Sequence, residues 1–139
     1  MITIIFEPHA TTQDNEARLA SGWNDVRLSE LGVQQAKELG ERHKLEDFDA
    51  VFTSDLERAY KTATLAFADV DPKKLYMDWR LRECDYGELT QHPKEEVDTK
   101  KSERINTPFP IGESYKQPSV CDHSCKISYD SMMTKQSSS

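Results

Sequence analysis

Residues 48–63 read Phe-Asp-Ala-Val-Phe-Thr-Ser-Asp-Leu-Glu-Arg-Ala-Tyr-Lys-Thr-Ala. The first six residues form a short apolar run that predicts a strand over 48–53. Ser54, followed three residues later by Glu57, fits a helix capping box. Behind it Leu56, Ala59, Tyr60, Ala63 and Phe67 recur at helical spacing, which predicts a helix with one stripe turned to a core. A strand that runs straight into a helix is the repeating unit of an α/β fold.

The pattern continues on both sides. Ile2–Phe6 is an apolar, β-branched run that suits a strand buried on both faces. A polar loop of about twenty residues follows. Ser29 then stands as an N-cap ahead of Leu31, Val33, Ala36, Leu39 and Gly40, a second helical face. Toward the C-terminus, Leu75–Met77 predicts a third strand. Pro93-Lys94-Glu95-Glu96 opens a further helix, with acids early and Lys100, Lys101 and Arg104 late, in keeping with the helix dipole. The expectation is an α/β fold with a mostly parallel sheet and helices on both faces.

Composition bounds the function. The chain has 139 residues, 36% hydrophobic and 31% charged, with a formal net charge of −7. Such an acidic chain has no electrostatic footprint for nucleic acid or an anionic membrane. No apolar run approaches the roughly 18–20 residues of a membrane span. The first residues lack the basic start of a signal peptide. Three cysteines, unevenly placed, argue against a disulfide framework. A cytoplasmic protein is expected. The composition shifts near Gln117: residues 118–139 hold seven serines and no Leu or Phe. The reading is a domain over 1–117 and a Ser-rich, disordered tail over 118–139.

In open α/β sheets, ligands bind beyond the carboxyl ends of the strands. His9 follows the first strand, and Arg58 lies one turn into the helix after the second. Together they could face one phosphate, with backbone donors from the helix start. Taken singly, His9 reads more readily as a surface residue and Arg58 as a surface or salt-bridge arginine.

The combination is more specific. Pro8-His9-Ala10-Thr11-Thr12-Gln13-Asp14-Asn15 resembles the Arg-His-Gly-x-Thr-x-x-Asn signature of the histidine phosphatase superfamily, the phosphoglycerate mutase-like proteins. Leu28-Ser29-Glu30-Leu31-Gly32 is similar to that family's next segment. Ser54-Asp55-Leu56-Glu57-Arg58-Ala59 with Thr62-Ala63 is similar to its Ser-x-Leu-x-Arg-Ala-x-x-Thr-Ala block. Leu81-Arg82-Glu83 with Gly87, and Pro110-Ile111-Gly112-Glu113-Ser114, resemble two later blocks.

The resemblance implies a mechanism and a site. His9 would be the nucleophile that forms a phosphohistidine, and Glu83 the general acid and base. Asn15 and Arg58 would bind the phosphoryl oxygens of a small phosphorylated molecule. No metal or other cofactor is implied, because cationic and imidazole groups carry the charge.

Departures temper the activity. Pro8 replaces the signature arginine and Ala10 the glycine. The family's later strand ending in Ser/Thr-His-Gly has no counterpart, and His123 does not restore it. The expected protein is a phosphomonoester hydrolase or phosphoryl transferase, weak or inactive. The alternative is a non-catalytic phosphate-binding or interaction domain. Lacking the usual C-terminal strand and helix, the sheet would expose an apolar edge beside Ile2–Phe6 and favour self-association. Cys121-x-His123-x-Cys125 offers three metal ligands at tight spacing, one short of a structural zinc site.

Overall fold

The computed structural model describes residues 1–68, 72–116 and 131–136. Four strands and four α-helices run in the order β1 (Ile2–Phe6), α1 (Gln13–Ala17), α2 (Glu30–Arg42), β2 (Ala50–Thr53), α3 (Glu57–Ala66), β3 (Leu75–Met77), α4 (Lys94–Lys100) and β4 (Ser131–Gln136). The fold is α/β, as the strand and helix signals predict.

The sheet order is β1-β4-β2-β3. β2 and β3 are parallel, with Val51 opposite Leu75. β4 runs antiparallel to both neighbours, placing Thr134 opposite Ile4 and Met133 opposite Val51. β1, β2 and β3 therefore share one direction, and β4 is the inserted exception. This corrects the reading of 118–139 as a tail with no strand. The remaining residues of that stretch, including Cys121, His123 and Cys125, lie outside the described residues. The strand was hidden because Ser131-Met132-Met133-Thr134-Lys135-Gln136 has little intrinsic strand preference. Its state is set by two waiting neighbours, each with backbone groups to satisfy.

The core forms on one side of the sheet. Val51 packs with Phe48, Ala63 and Phe67, and Ile5 and Leu75 lie against them. This is the α3 stripe that the sequence predicts: Leu56, Ala59, Ala63 and Phe67 are buried. α2 crosses α3 closely enough that a Cβ on Gly40 would come 1.9 Å from the Ala66 carbonyl oxygen. Only glycine fits there. A second cluster joins Ala20, Cys84, Tyr86, Leu89, Val97 and Phe109.

On the opposite face of the sheet Phe6, Ala50 and Phe52 are half-buried and Tyr76 is exposed. There Phe52 stacks on Tyr76, with ring centroids 5.2 Å apart. Ile2 is 71% exposed and Ile4 46%. The expectation that β1 is buried on both faces is thereby corrected: Ile2, Thr3 and Ile4 are exposed, and Ile5 and Phe6 are half-buried.

Two helix starts also differ from the sequence reading. α1 interrupts the supposed polar loop, closed by a capping box between Thr12 and Asn15. α3 begins at Glu57, and its N-cap Leu56 supplies no side-chain acceptor. Asp25 takes that role from a distant loop, its Oδ1 accepting the Glu57 N–H at 2.7 Å. Ser29 caps α2 as expected, accepting from the Gly32 N–H. Asp25→Ala should lower unfolding stability by about 1 kcal/mol, the usual value of a lost N-cap. The measurement is the urea midpoint at constant slope, and an unchanged midpoint would show that water replaces the cap fully.

Candidate functional site

Three of the four sequence-predicted site residues line one cavity of about 110 Å³: His9, Asn15 and Glu83. Tyr86, Ser21 and Lys94 complete much of its wall. The fourth, Arg58, reaches the site through Glu83, its Nη2 lying 3.1 Å from Glu83 Oε2.

His9 follows β1 in a loop whose next residue is held from α3, the Ala10 N–H donating to Thr62 Oγ1 at 3.0 Å. The ring is oriented by its own neighbour. Nδ1 lies 2.7 Å from the Ala10 carbonyl oxygen. A carbonyl can only accept, so Nδ1 carries a proton, and in the neutral form of the ring the lone pair then belongs to Nε2. That is the tautomer a nucleophilic imidazole needs.

Asn15 has two tasks. Its Oδ1 accepts the Thr12 N–H at 2.9 Å as part of the α1 cap. With the carbonyl end so fixed, the amide's remaining donor group is the Nδ2 end. Glu83 is gripped at both oxygens: Tyr86 donates to Oε1 at 2.5 Å, and Arg58 to Oε2. Burial first, and then the adjacent Glu83 carboxylate, push the Tyr86 hydroxyl well above its ordinary value, so it stays a donor at neutral pH.

Arg58 is fully buried. Its Nη2 also donates to the Gly22 carbonyl at 2.8 Å, and its Nη1 to the Asn24 carbonyl at 3.1 Å. It therefore pins the 22–24 loop as well as Glu83. The same loop is tied to Glu83 a second time, because Trp23 Nε1 donates to the Glu83 carbonyl at 2.7 Å. Arg82 lies over the Trp23 ring at 4.7 Å and pairs with Asp55. That pairing holds the Asp55 carboxyl below its usual range.

Residues that sequence reasoning did not single out complete the site. Lys94, the first residue of α4, brings a cation to the cavity wall. Asp14 is buried and accepts from Ser21 Oγ and from Gln91 Nε2. The available signal for Lys94 was its place in the first turn of a helix otherwise opened by acids. Pro8 lines a second cavity of about 410 Å³ on the other side of His9, together with Glu7, Gln35 and Arg42. Cys84 is no competing nucleophile, since burial and then the nearby Glu113 carboxylate raise its thiol to about 12. The described residues contain no group of three or more His, Cys, Asp or Glu placed to hold a metal ion. None of the described helices is long and apolar enough to cross a membrane.

Comparison with known proteins places this geometry. The model of the histidine phosphatase superfamily (branch 1) matches residues 4–121. A 2,3-bisphosphoglycerate-dependent phosphoglycerate mutase of Streptococcus mutans is 43% identical over 101 residues, covering 70% of this chain and 44% of that protein. One from Streptococcus agalactiae is 41% identical over the same shares. The chain thus spans less than half the length of these curated relatives. Among solved structures, a mycobacterial glucosyl-3-phosphoglycerate phosphatase with VO3 superposes with a TM-score of 0.69 at 26% identity, over 84% of this chain and 61% of that one. A phosphoglycerate mutase of Bacillus anthracis gives a TM-score of 0.64 at 27% identity, over 78% and 49%.

Proposed function

Because the chain belongs to the histidine phosphatase superfamily, we propose that it transfers phosphoryl groups through His9, slowly, from a small phosphomonoester. The observation that carries this reading is the convergence of His9 and Glu83 on one cavity, with the imidazole held in its Nδ1–H form. His9 Nε2 attacks phosphorus, and the P–O bond to the leaving group breaks. Protonated Glu83 passes its proton to the departing oxygen. The resulting carboxylate takes a proton from water, the water oxygen attacks phosphorus, the P–Nε2 bond breaks with its electron pair returning to the imidazole, and inorganic phosphate leaves. Asn15 Nδ2 and the Arg58 guanidinium donate to the phosphoryl oxygens, Arg58 exchanging its bond to Glu83 for one to phosphate.

The slow rate follows from what surrounds His9. Pro8 supplies no side-chain donor where the signature has arginine, and a missing preorganised donor typically costs about 10²–10³ in rate. A second reading, phosphate binding without turnover, is favoured by the full occupation of Arg58 by Gly22, Asn24 and Glu83.

The test is acid-labile labelling of the protein by a phosphorylated donor, together with aryl phosphate hydrolysis. The wild type should label on histidine and hydrolyse close to background, and His9→Ala should lose the label. Pro8→Arg should tighten inorganic phosphate binding about tenfold through a bidentate contact. Phosphate binding with no label would support the second reading. Labelling that persists in His9→Ala would overturn the assignment of the nucleophile.

A further inference from the structure

The cavity that holds His9 is poor in cations. Among its described lining residues Lys94 is the one permanent cation, and Arg58 reaches the site from behind Glu83. A phosphomonoester carries a charge of about −1.5 to −2 at neutral pH, so its phosphoryl group alone draws on both. With that group at His9 and Asn15 and the leaving oxygen at Glu83, the remaining wall is left to the alcohol part of the ester. Ser21 and the α4 residues Lys94, Val97 and Asp98 build much of it.

That wall offers acceptors. Ser21 is 7% exposed and has a single hydroxyl proton, which it spends on Asp14 Oδ2 at 2.9 Å. The hydroxyl has only lone pairs left to offer a ligand. Asp14 is itself buried, and the same oxygen accepts from Gln91 Nε2. Two donors on one oxygen leave no proton there, whichever charge state the carboxyl takes. Gln91 holds a left-handed backbone, φ 68°, and its N–H donates to the Ala20 carbonyl at 2.7 Å. Glycine adopts that conformation more easily, but only a side chain can supply the bond to Asp14. Asp98 stands one turn after Lys94 and brings a carboxylate to the same wall. Lys101, which does not line the cavity, pairs with its Oδ1 at 2.6 Å.

Resting on the assignment of this cavity to phosphoryl transfer, we propose that Asp14, acting through Ser21, and Asp98 make it selective. The favoured substrates are phosphate esters of uncharged, hydroxyl-bearing alcohols, the polyol and sugar phosphates. Esters whose alcohol part carries a carboxylate or a second phosphate are disfavoured. A substrate hydroxyl donates to Ser21 Oγ or to Asp98 and so replaces its bond to water. A carboxylate in the same place has no proton to give. It sets lone pairs against lone pairs at Ser21 and charge against charge at Asp98, while the nearby cations are engaged by the phosphoryl group. Lys94 works against an ammonium there. The selectivity comes from this repulsion as much as from the new hydrogen bond.

The experiment is calorimetric titration of the full chain, at mildly alkaline pH, with inorganic phosphate, glycerol 3-phosphate and 3-phosphoglycerate. The two esters share one carbon skeleton and differ by a hydroxymethyl group in place of a carboxylate. The wild type should bind glycerol 3-phosphate at least about tenfold tighter than 3-phosphoglycerate. Ser21→Ala and Asp98→Asn should each shrink that ratio at least about threefold. Asp14→Ala, which frees the Ser21 proton, should do the same, and Asp14→Asn, which keeps an acceptor oxygen there, should retain most of the ratio. Asp98 is exposed, so Asp98→Asn decides alone if the variants of the buried residues fail to fold. Phosphate binding with equal or tighter binding of 3-phosphoglycerate, or a ratio that the folded variants leave intact, would overturn the selectivity and leave the phosphoryl site standing. Binding of none of the three ligands would overturn both.

Discussion

A chain ending at Lys116 is expected to lose its cooperative unfolding transition. β4 is the one described strand that pairs with β1, across five register positions, and it pairs with β2 across four more. A backbone hydrogen bond contributes a net of about 0.5–1.5 kcal/mol, and a whole domain is stable by only about 5–15 kcal/mol. Removing β4 strips β1 of its ladder and exposes both edges of the gap. It also frees Ile5 from its place against Val51 and Phe67. Calorimetry of the shortened chain should show no sharp transition, or a midpoint more than about 15 °C lower. An unchanged midpoint would mean that the 131–136 strand adds nothing to the sheet, the outcome expected from composition alone.

Replacement of Arg58 by alanine should be nearly as severe. The side chain is fully buried and serves three acceptors on two separate segments. Its loss leaves the Gly22 and Asn24 carbonyls without that donor, releases Glu83 and opens a hole the size of a guanidinium. Truncating one member of a buried ion pair typically costs about 3–5 kcal/mol, and the partial exposure of Glu83 places this case near the lower end. For a chain of this length the melting midpoint should fall on the order of 10–15 °C. Arg58→Lys keeps the charge but cannot reach all three acceptors, so it should recover less than half of the loss. If Arg58→Ala kept its stability and lost only phosphate binding, the arginine would be a ligand residue before it is a structural one.

Elements governed by local chemistry were legible. The α3 stripe, the Ser29 cap and the strands at Ile2–Phe6 and Leu75–Met77 follow from periodicity and capping, which one segment carries by itself. The convergence of His9, Asn15 and Glu83 on one cavity was legible because all three sit in ordered motifs. Features made by distant partners were not. Asp25 caps a helix 32 residues further on, and nothing beside Asp25 announces this. The Ser54 capping box was plausible locally and lost to that long-range acceptor. β4 was unreadable because methionine, lysine and glutamine become strand residues only between two established edges. The exposure of β1 was unreadable for the opposite reason: an apolar run says that a strand is present, while its cover is decided elsewhere in the fold.

The position of β4 also sets a timetable. It joins β1 to β2, yet β1 precedes β4 by more than a hundred residues, and the register brings Ile2 opposite Gln136. Contacts between the two ends of a chain form slowly, because the intervening loop must be closed before any ladder bond compensates for it. During synthesis β1 is therefore made long before residues 131–136, its partner in the sheet. The helical pair α2 and α3 can assemble meanwhile on local contacts. The vulnerable interval for this protein is its own biogenesis, and its yield in a cell should depend on how soon residues 131–136 follow β1 and on whatever shelters the first strand until then.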